Sequence, residues 1–279
     1  MGYCKAGYDE ILATDYDPKI MAIFEKNFPD IPTLVADIKN VSADDILSTT
    51  GLAPGALDLL DGSPPCQGFS IGGRRKLRDD KNYLFYAWAN ILKELQPKVF
   101  VGENVKGLVL GKMKLMFANI LRELRSYGYV VKAKVLNSVN YEVPQKRERV
   151  IFIGVRKDLG MDPVFPIPTG KIVGARKLDE RGKPFKGDRF KWGRFNNHIV
   201  NEGYPAHTVT TQAFFAWSDT MRELGLRSYA DLQTFPEDYI FSKSWRLNKT
   251  IIGNAVPVNM MYRIAKTIKE RILIPIDSS

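Results

Sequence analysis

A doubly wound α/β fold with a smaller appended domain is predicted for this sequence by three observations. Over the first 156 residues, short apolar runs alternate with stretches of helical spacing, the pattern of a mostly parallel sheet covered by helices. The candidate strands end in polar or charged residues at Asp15, Asp37, Ser63 and Glu103, where open α/β sheets bind ligands. Beyond Arg156 the periodicity is lost and Pro, Gly, Lys and Arg become dense. The expected division is a catalytic unit at 1–156, a second unit at 157–240 and a C-terminal segment at 241–279.

Composition narrows the function classes. The chain has 279 residues and 44% hydrophobic content, enough for one large core and a smaller one. Its formal charge of +10 suggests a polyanionic partner, nucleic acid before membrane, although a merely basic protein would look the same. Cys4 and Cys66 are the two cysteines, too few for a disulfide framework or a Cys-rich zinc site. They fit a reducing compartment, and with no basic-then-apolar leader and no bilayer-length apolar run, the expectation is a cytoplasmic, nucleoid-associated protein.

The elements follow in order. Gly2 to Tyr8 reads as a helix end stopped at Gly7, and Ile11 to Asp15 as a strand. Pro18 opens a helix carrying Ile20, Met21, Ile23 and Phe24 inward, and Thr33 to Ala36 is the next strand. Asp15 at a strand end can accept ribose hydroxyls, and the Tyr16 ring can lie on an adenine. Asp17 before Pro18 is also a helix N-cap, so the acidic pair has a purely structural reading. Asp37-Ile38 occupies the equivalent place after the next strand and suits an adenine edge.

Leu57 to Asp61 reads as a buried strand leading into Gly62-Ser63-Pro64-Pro65-Cys66-Gln67-Gly68-Phe69-Ser70. The prolines stiffen this loop and hold the Cys66 sulfur in one place, as a nucleophile requires; a buried structural cysteine is the competing reading. Gly72 to Lys81 is glycine followed by a cationic run, a loop able to close over phosphates or simply a solvated one. Tyr83 to Leu95 has helical spacing, and Val99 to Gly102 is a strand delivering Glu103-Asn104-Val105. A carboxylate there is a candidate for a raised pKa and proton sharing. Met113 to Tyr127 reads as an amphipathic helix, with strands at Val130–Leu136 and Val150–Val155. Between the strands, Arg147 and Arg149 share a face if extended and suit a phosphate or a base carbonyl, or a salt bridge with Glu148.

The region 157–240 interleaves Lys171, Arg176, Lys177, Lys183, Lys186, Arg189, Lys191 and Arg194 with Phe185, Phe190, Trp192 and Phe195, a nucleic-acid-like mixture. Thr210, Thr211 and Gln212 could reach phosphates or base edges. A short helix is expected at Tyr229–Thr234, and an apolar-periodic helix at Val258–Ile272 after the Gly253-to-Pro257 turn carrying Asn254.

Five of these segments occur in one order: the Cys66 loop, Glu103-Asn104-Val105, Gln145 to Arg149, Leu232 to Pro236, and Gly253 to Pro257. This set resembles the ordered blocks of the DNA (cytosine-5)-methyltransferases over nearly the whole chain. The resemblance implies a catalytic domain that binds S-adenosyl-L-methionine, a small domain that reads duplex DNA, and a last helix returning to the catalytic domain. It implies that Cys66 is the thiolate adding to carbon-6 of a flipped cytosine, and that Glu103 holds ring nitrogen 3 and the exocyclic amine. It further implies that Arg147 and Arg149 hold the base carbonyl, the flanking backbone and the loop, and that Asn104 orients the target or the neighbouring loops. For the cofactor it points to Asp15, Tyr16, Asp37, Ile38, Pro65, Leu84, Asn254 and Ala255. For DNA it points to Gln67, Ser70, Gly72, Arg74, Arg75 and Gln145.

A restriction–modification setting, with a cognate endonuclease as partner, is a further expectation. The alternatives are an impaired DNA-binding or regulatory homologue and a tRNA cytosine methyltransferase. The tRNA branch carries a Cys-Phe-Thr element that is not found here. The family opens with a strand and a Phe-x-Gly-x-Gly-Gly loop that are absent from this sequence. That strand lies mid-sheet, so its two neighbours are expected to be unpaired unless another chain supplies it, and cofactor binding is expected to be weak.

Overall fold

The structure, a computed structural model, describes residues 1–64, 83–184 and 197–278. Helix α1 spans Gly2–Lys5, β1 Ala13–Asp15, α2 Pro18–Asn27, β2 Thr33–Val35, α3 Ala43–Thr50 and β3 Leu59–Gly62. Then come α4 Tyr83–Leu95, β4 Val99–Val105, α5 Lys114–Ser126, β5 Tyr129–Asn137 and β6 Glu148–Arg156. The remainder comprises β7 Glu180–Arg181, β8 Asn197–Val200, β9 Phe214–Trp217, β10 Glu223–Leu224, α6 Leu226–Leu232, α7 Trp245–Asn254, α8 Val258–Ile268 and α9 Ile274–Asp277.

Local chemistry sets several boundaries. Asp17 caps α2 by accepting the Lys19 N–H, with Pro18 pre-setting the first turn. Ser42 and Asp45 form a reciprocal capping box on α3, and Gly51 ends it in the left-handed region. α6 begins at Leu226, earlier than its sequence suggests, and the chain leaves it through Thr234 at φ +57°.

The expectation of one large, mostly parallel sheet is corrected. A four-stranded sheet runs β3-β4-β6-β5, and β1-β2 form a separate parallel pair. Only β3 and β4 are parallel in the larger sheet, because β6 follows β5 directly and returns antiparallel between it and β4. Among the described residues, β1 and β3 each pair on one edge only.

The sheet is covered on both faces, and strand alternation decides what lies where. Val99, Val101, Ile151, Ile153 and Val155 pack with Met260, Met261, Ile264 and Ile268 of α8. Phe100, Val150 and Phe152 face the other way, toward Trp88 and Leu92 of α4 and Met116, Ile120 and Leu124 of α5. Gly154 makes room for the Phe100 ring, which a β-carbon there would overlap. α1 lies close on α8, since a β-carbon at Gly2 would come within 2.8 Å of the Met261 side chain.

The second sheet has order β7-β10-β9-β8, with β8 parallel to β9. Its core joins Val200, Val209, Phe215, Trp217, Leu224, Tyr229 and Leu232 to Ile252 of α7 and Ile23 of α2. α7 therefore packs with this second core, and the chain returns to the first sheet at α8. No helix among the described residues is long and apolar enough to cross a membrane.

Candidate active site

The site is built at the carboxyl end of β4. Antiparallel pairing sets Glu103 opposite Ile151 and Val105 opposite Arg149, which leaves Glu103 and Arg149 as diagonal neighbours on one face. Their side chains meet, Arg149 Nε to Glu103 Oε1, at 2.8 Å, with only 13% and 12% of each exposed. Burial pushes the Glu103 carboxyl above the ordinary glutamate range, against the pull of Arg149 and Arg147. Burial lowers the Arg149 guanidinium as well, with Glu103 opposing. Each charge is thus held in place mainly by the other, an arrangement suited to sharing a proton.

Asn104 is buried, and its side chain donates to the Pro64 carbonyl at 3.0 Å while accepting the Val105 N–H. This ties the end of β4 to the chain leaving β3. Cys66, Pro65, Gln67, Ser70, Gly72, Arg74 and Arg75 lie outside the described residues. Asp61, at the end of β3, accepts from the Tyr3 hydroxyl at 2.9 Å. Desolvation pushes its carboxyl up to about 6, Tyr3 opposing and Glu103 and Glu10 adding, although the residue is exposed, which weakens the effect. Its place was not signalled by the sequence, where it reads only as a strand end.

Two of the residues expected at the DNA target have partners inside the protein. Arg147 is 2% exposed; its guanidinium donates to Val209 O at 2.7 Å and Gly253 O at 3.1 Å, and burial pushes it down to about 9. It clamps two distant segments together, with its Nε buried and unpaired. Gln145 is fully buried. Its amide donates to Leu232 O at 2.9 Å and Gln233 Oε1 at 3.0 Å, and its oxygen accepts the Val209 N–H at 2.7 Å. Both amide donors and the amide oxygen of Gln145 are therefore engaged inside the protein.

Of the residues expected at the cofactor, Asp15 ends β1 and Asp37 follows β2. Asp15 closes β1 and accepts the Asp17 N–H at 2.8 Å, while Tyr16 is 74% exposed. Asp37 caps a 3₁₀ turn at Ile38–Asn40, and the Lys39 N–H and ammonium hold its carboxyl below the usual range. Lys39 also lies over the Tyr83 ring at 4.4 Å, joining this turn to the start of α4, where Leu84 is half-buried. Asn254 is exposed as the last residue of α7 instead of lying on a turn, and Ala255 follows it.

Of the region expected to read DNA, Thr210 and Gln212 are exposed and Thr211 is half-buried. Gly253 lets the Thr210–Thr211 backbone pass against α7, which a β-carbon would block. Arg176 pairs with Asp231, Lys177 with Glu180 and Asp219, and Lys171 with Glu142. The other basic and aromatic residues from Phe185 to Phe195 lie outside the described residues.

Comparison with known proteins bears on this arrangement. The family model described as C-5 cytosine-specific DNA methylase matches residues 1–186 and 173–270. The type II methyltransferase M.FnuDI of Fusobacterium nucleatum is 30% identical over 320 aligned residues, covering 97% of this chain and 90% of that protein. M.XorII of Xanthomonas oryzae is 38% identical over 175 residues, which are 62% of this chain but 41% of that protein. Among solved structures, a candidate DNA modification methyltransferase encoded within an E. coli prophage matches with TM-score 0.81 at 20% identity, covering 98% of this chain and 95% of that one. The Dnmt2 methyltransferase of S. pombe matches with TM-score 0.73 at 20% identity, covering 99% and 95%. These two likenesses bear on the α/β fold.

Proposed function

This chain belongs to the C-5 cytosine-specific DNA methylase family, and on that premise we propose how its residues divide the work. Cys66 is the nucleophile that adds to carbon-6 of a cytosine extruded from duplex DNA. Glu103 holds the pyrimidine edge and shares a proton with ring nitrogen 3 as negative charge develops there. Arg149 keeps Glu103 oriented and reaches the base carbonyl. Asn104 anchors the loop that carries Cys66. The observation that carries this reading is the buried Glu103–Arg149 pair beside an Asn104 bonded to Pro64, two residues before Cys66.

The family depends on S-adenosyl-L-methionine, and the donor set here fits its adenosine half. Asp15 offers a carboxylate for ribose hydroxyls, the exposed Tyr16 ring a stacking face, and Asp37, Ile38 and Leu84 a polar–apolar edge. Pro65, Asn254 and Ala255 complete the proposed set. When bound, the cofactor supplies an electrophilic methyl group; the protein's part is to orient it, exclude water and activate carbon-5 through Cys66 and Glu103.

Thr210, Thr211 and Gln212 present groups to DNA in the unit at 157–240, with Gln67, Ser70, Gly72, Arg74 and Arg75 on the loop beside Cys66. The type II relatives favour a restriction–modification setting with a cognate endonuclease. Among the described residues β1 and β3 each leave one edge unpaired, and these edges would accept a further strand, from the same polypeptide or another chain. The deciding experiment is trapping on a 5-fluorocytosine duplex with cofactor. A covalent adduct lost in Cys66→Ala supports the reading; no adduct from folded protein that still binds DNA supports a non-catalytic DNA-binding role instead.

A further inference from the structure

A buried ring of amides links the two halves of the site. Gln233 is fully buried directly after α6. Its amide nitrogen donates to Ile252 O at 2.7 Å and Ala255 O at 3.1 Å, and its oxygen accepts from Gln145 at 3.0 Å. The carbonyls at the end of α7 have no partner within the helix. Here they are capped from outside, Ile252 and Ala255 by Gln233 and Gly253 by Arg147. The Gln233 carbonyl also takes the Val258 N–H at 3.0 Å, at the start of α8.

The ring closes on the DNA side. Gln145 holds the Val209 N–H and Arg147 holds the Val209 carbonyl, so both groups of one peptide unit's residue are fixed by the strand entering β6. Thr208 adds a hydroxyl bond to the Lys146 carbonyl at 2.8 Å. Both glutamine amides use both N–H donors, and each oxygen accepts one bond, within this ring. The segment bearing Thr210–Gln212 and the end of α7 bearing Asn254–Ala255 therefore share one hydrogen-bonded frame, and Arg149 stands two residues beyond it.

We propose that Gln233 and Gln145 are positioning residues that couple the Asn254–Ala255 end of α7 to the Val209 segment, so that ordering either one orders the other. This rests on the reading of Asn254–Ala255 as a cofactor contact. Satisfied buried networks of this kind have few alternative arrangements, which is what lets a change at one end be felt at the other.

The test is hydrogen exchange in the free, full-length protein, on peptides covering 206–212 and 250–257, for wild type, Gln145→Met and Gln233→Met. Methionine keeps the length and volume of the side chain and removes its hydrogen bonds. Gln145→Met is expected to speed exchange in 250–257, which it does not touch, by about tenfold, and Gln233→Met to do the same in 206–212. Effects confined to each residue's own partners, with both variants folded by circular dichroism, would overturn the proposal. A second readout is calorimetric: Gln145→Met should weaken S-adenosylmethionine about tenfold. Wild-type protein that binds no cofactor would count against the cofactor reading alone, since the exchange arm needs none.

Discussion

Glu103 and Arg149 show how a site residue is made from ordinary parts. Neither charge would be tolerated alone at that depth, and each is favourable only because the other is 2.8 Å away. Glu103→Gln keeps the shape but cannot take up a proton, so methyl transfer should fall by about two to four orders of magnitude with DNA binding retained. Single-turnover kinetics with labelled cofactor measures it. Arg149→Met leaves the carboxylate uncompensated, and its pKa, already raised by burial, should climb further. The pH–rate profile would then move to higher pH.

Asp61 gives a second test at this scale. Its folded pKa of about 6 lies above the ordinary aspartate value, so the proton favours the folded state. That contribution is complete below about pH 4 and lost as pH rises past 6. Asp61→Asn should therefore raise the melting temperature at pH 7.5, only slightly because the residue is exposed, and leave it unchanged near pH 4. Equal effects at both pH values would remove desolvation of this carboxylate as the cause.

Elements meet through glycines whose missing side chains are filled by neighbours. Gly253 in α7 lies against the backbone of Thr210 and Thr211, where no side chain can swing away. Gly253→Ala must displace that segment, and a loss of about 1–3 kcal/mol is expected from overpacking. Chemical denaturation measures the loss, and faster exchange in 206–212 would locate it. Gly154 is the same device in β6, filled by Phe100. The start of α2 was legible because a cap is local: Asp17-Pro18 carries its own chemistry. The register of β4 on β6 was not, because it depends on residues about fifty positions apart.

At the scale of the molecule, two cores share one chain in an interleaved order. The second core draws on Ile23 from α2 and Ile252 from α7, and Asn27 clips both the N–H and the carbonyl of Ile240. A fragment restricted to 157–240 should therefore fail to fold, seen as poor chemical-shift dispersion, because Trp217, Tyr229 and Leu232 lose those neighbours. A well-folded fragment would restore 240 as a true boundary. The +10 charge leads to a separate expectation, that DNA affinity falls steeply and linearly in log salt.

Strand ends, caps, the alternation of apolar residues and the ordered blocks were written in the sequence, because each depends on near neighbours or on residue identity. That was enough for the α/β class and the family, but the salt bridge it offered the arginines of 144–149 was with Glu148, whereas the structure pairs one of them with Glu103. Which arginine, and what Gln145 does, only the folded chain could decide. Arg147 and Arg149 look alike in an extended reading, yet one is taken up by Val209 and Gly253 and the other by Glu103. Those partners lie far along the chain, and a buried donor goes to whichever acceptor the packing brings within reach.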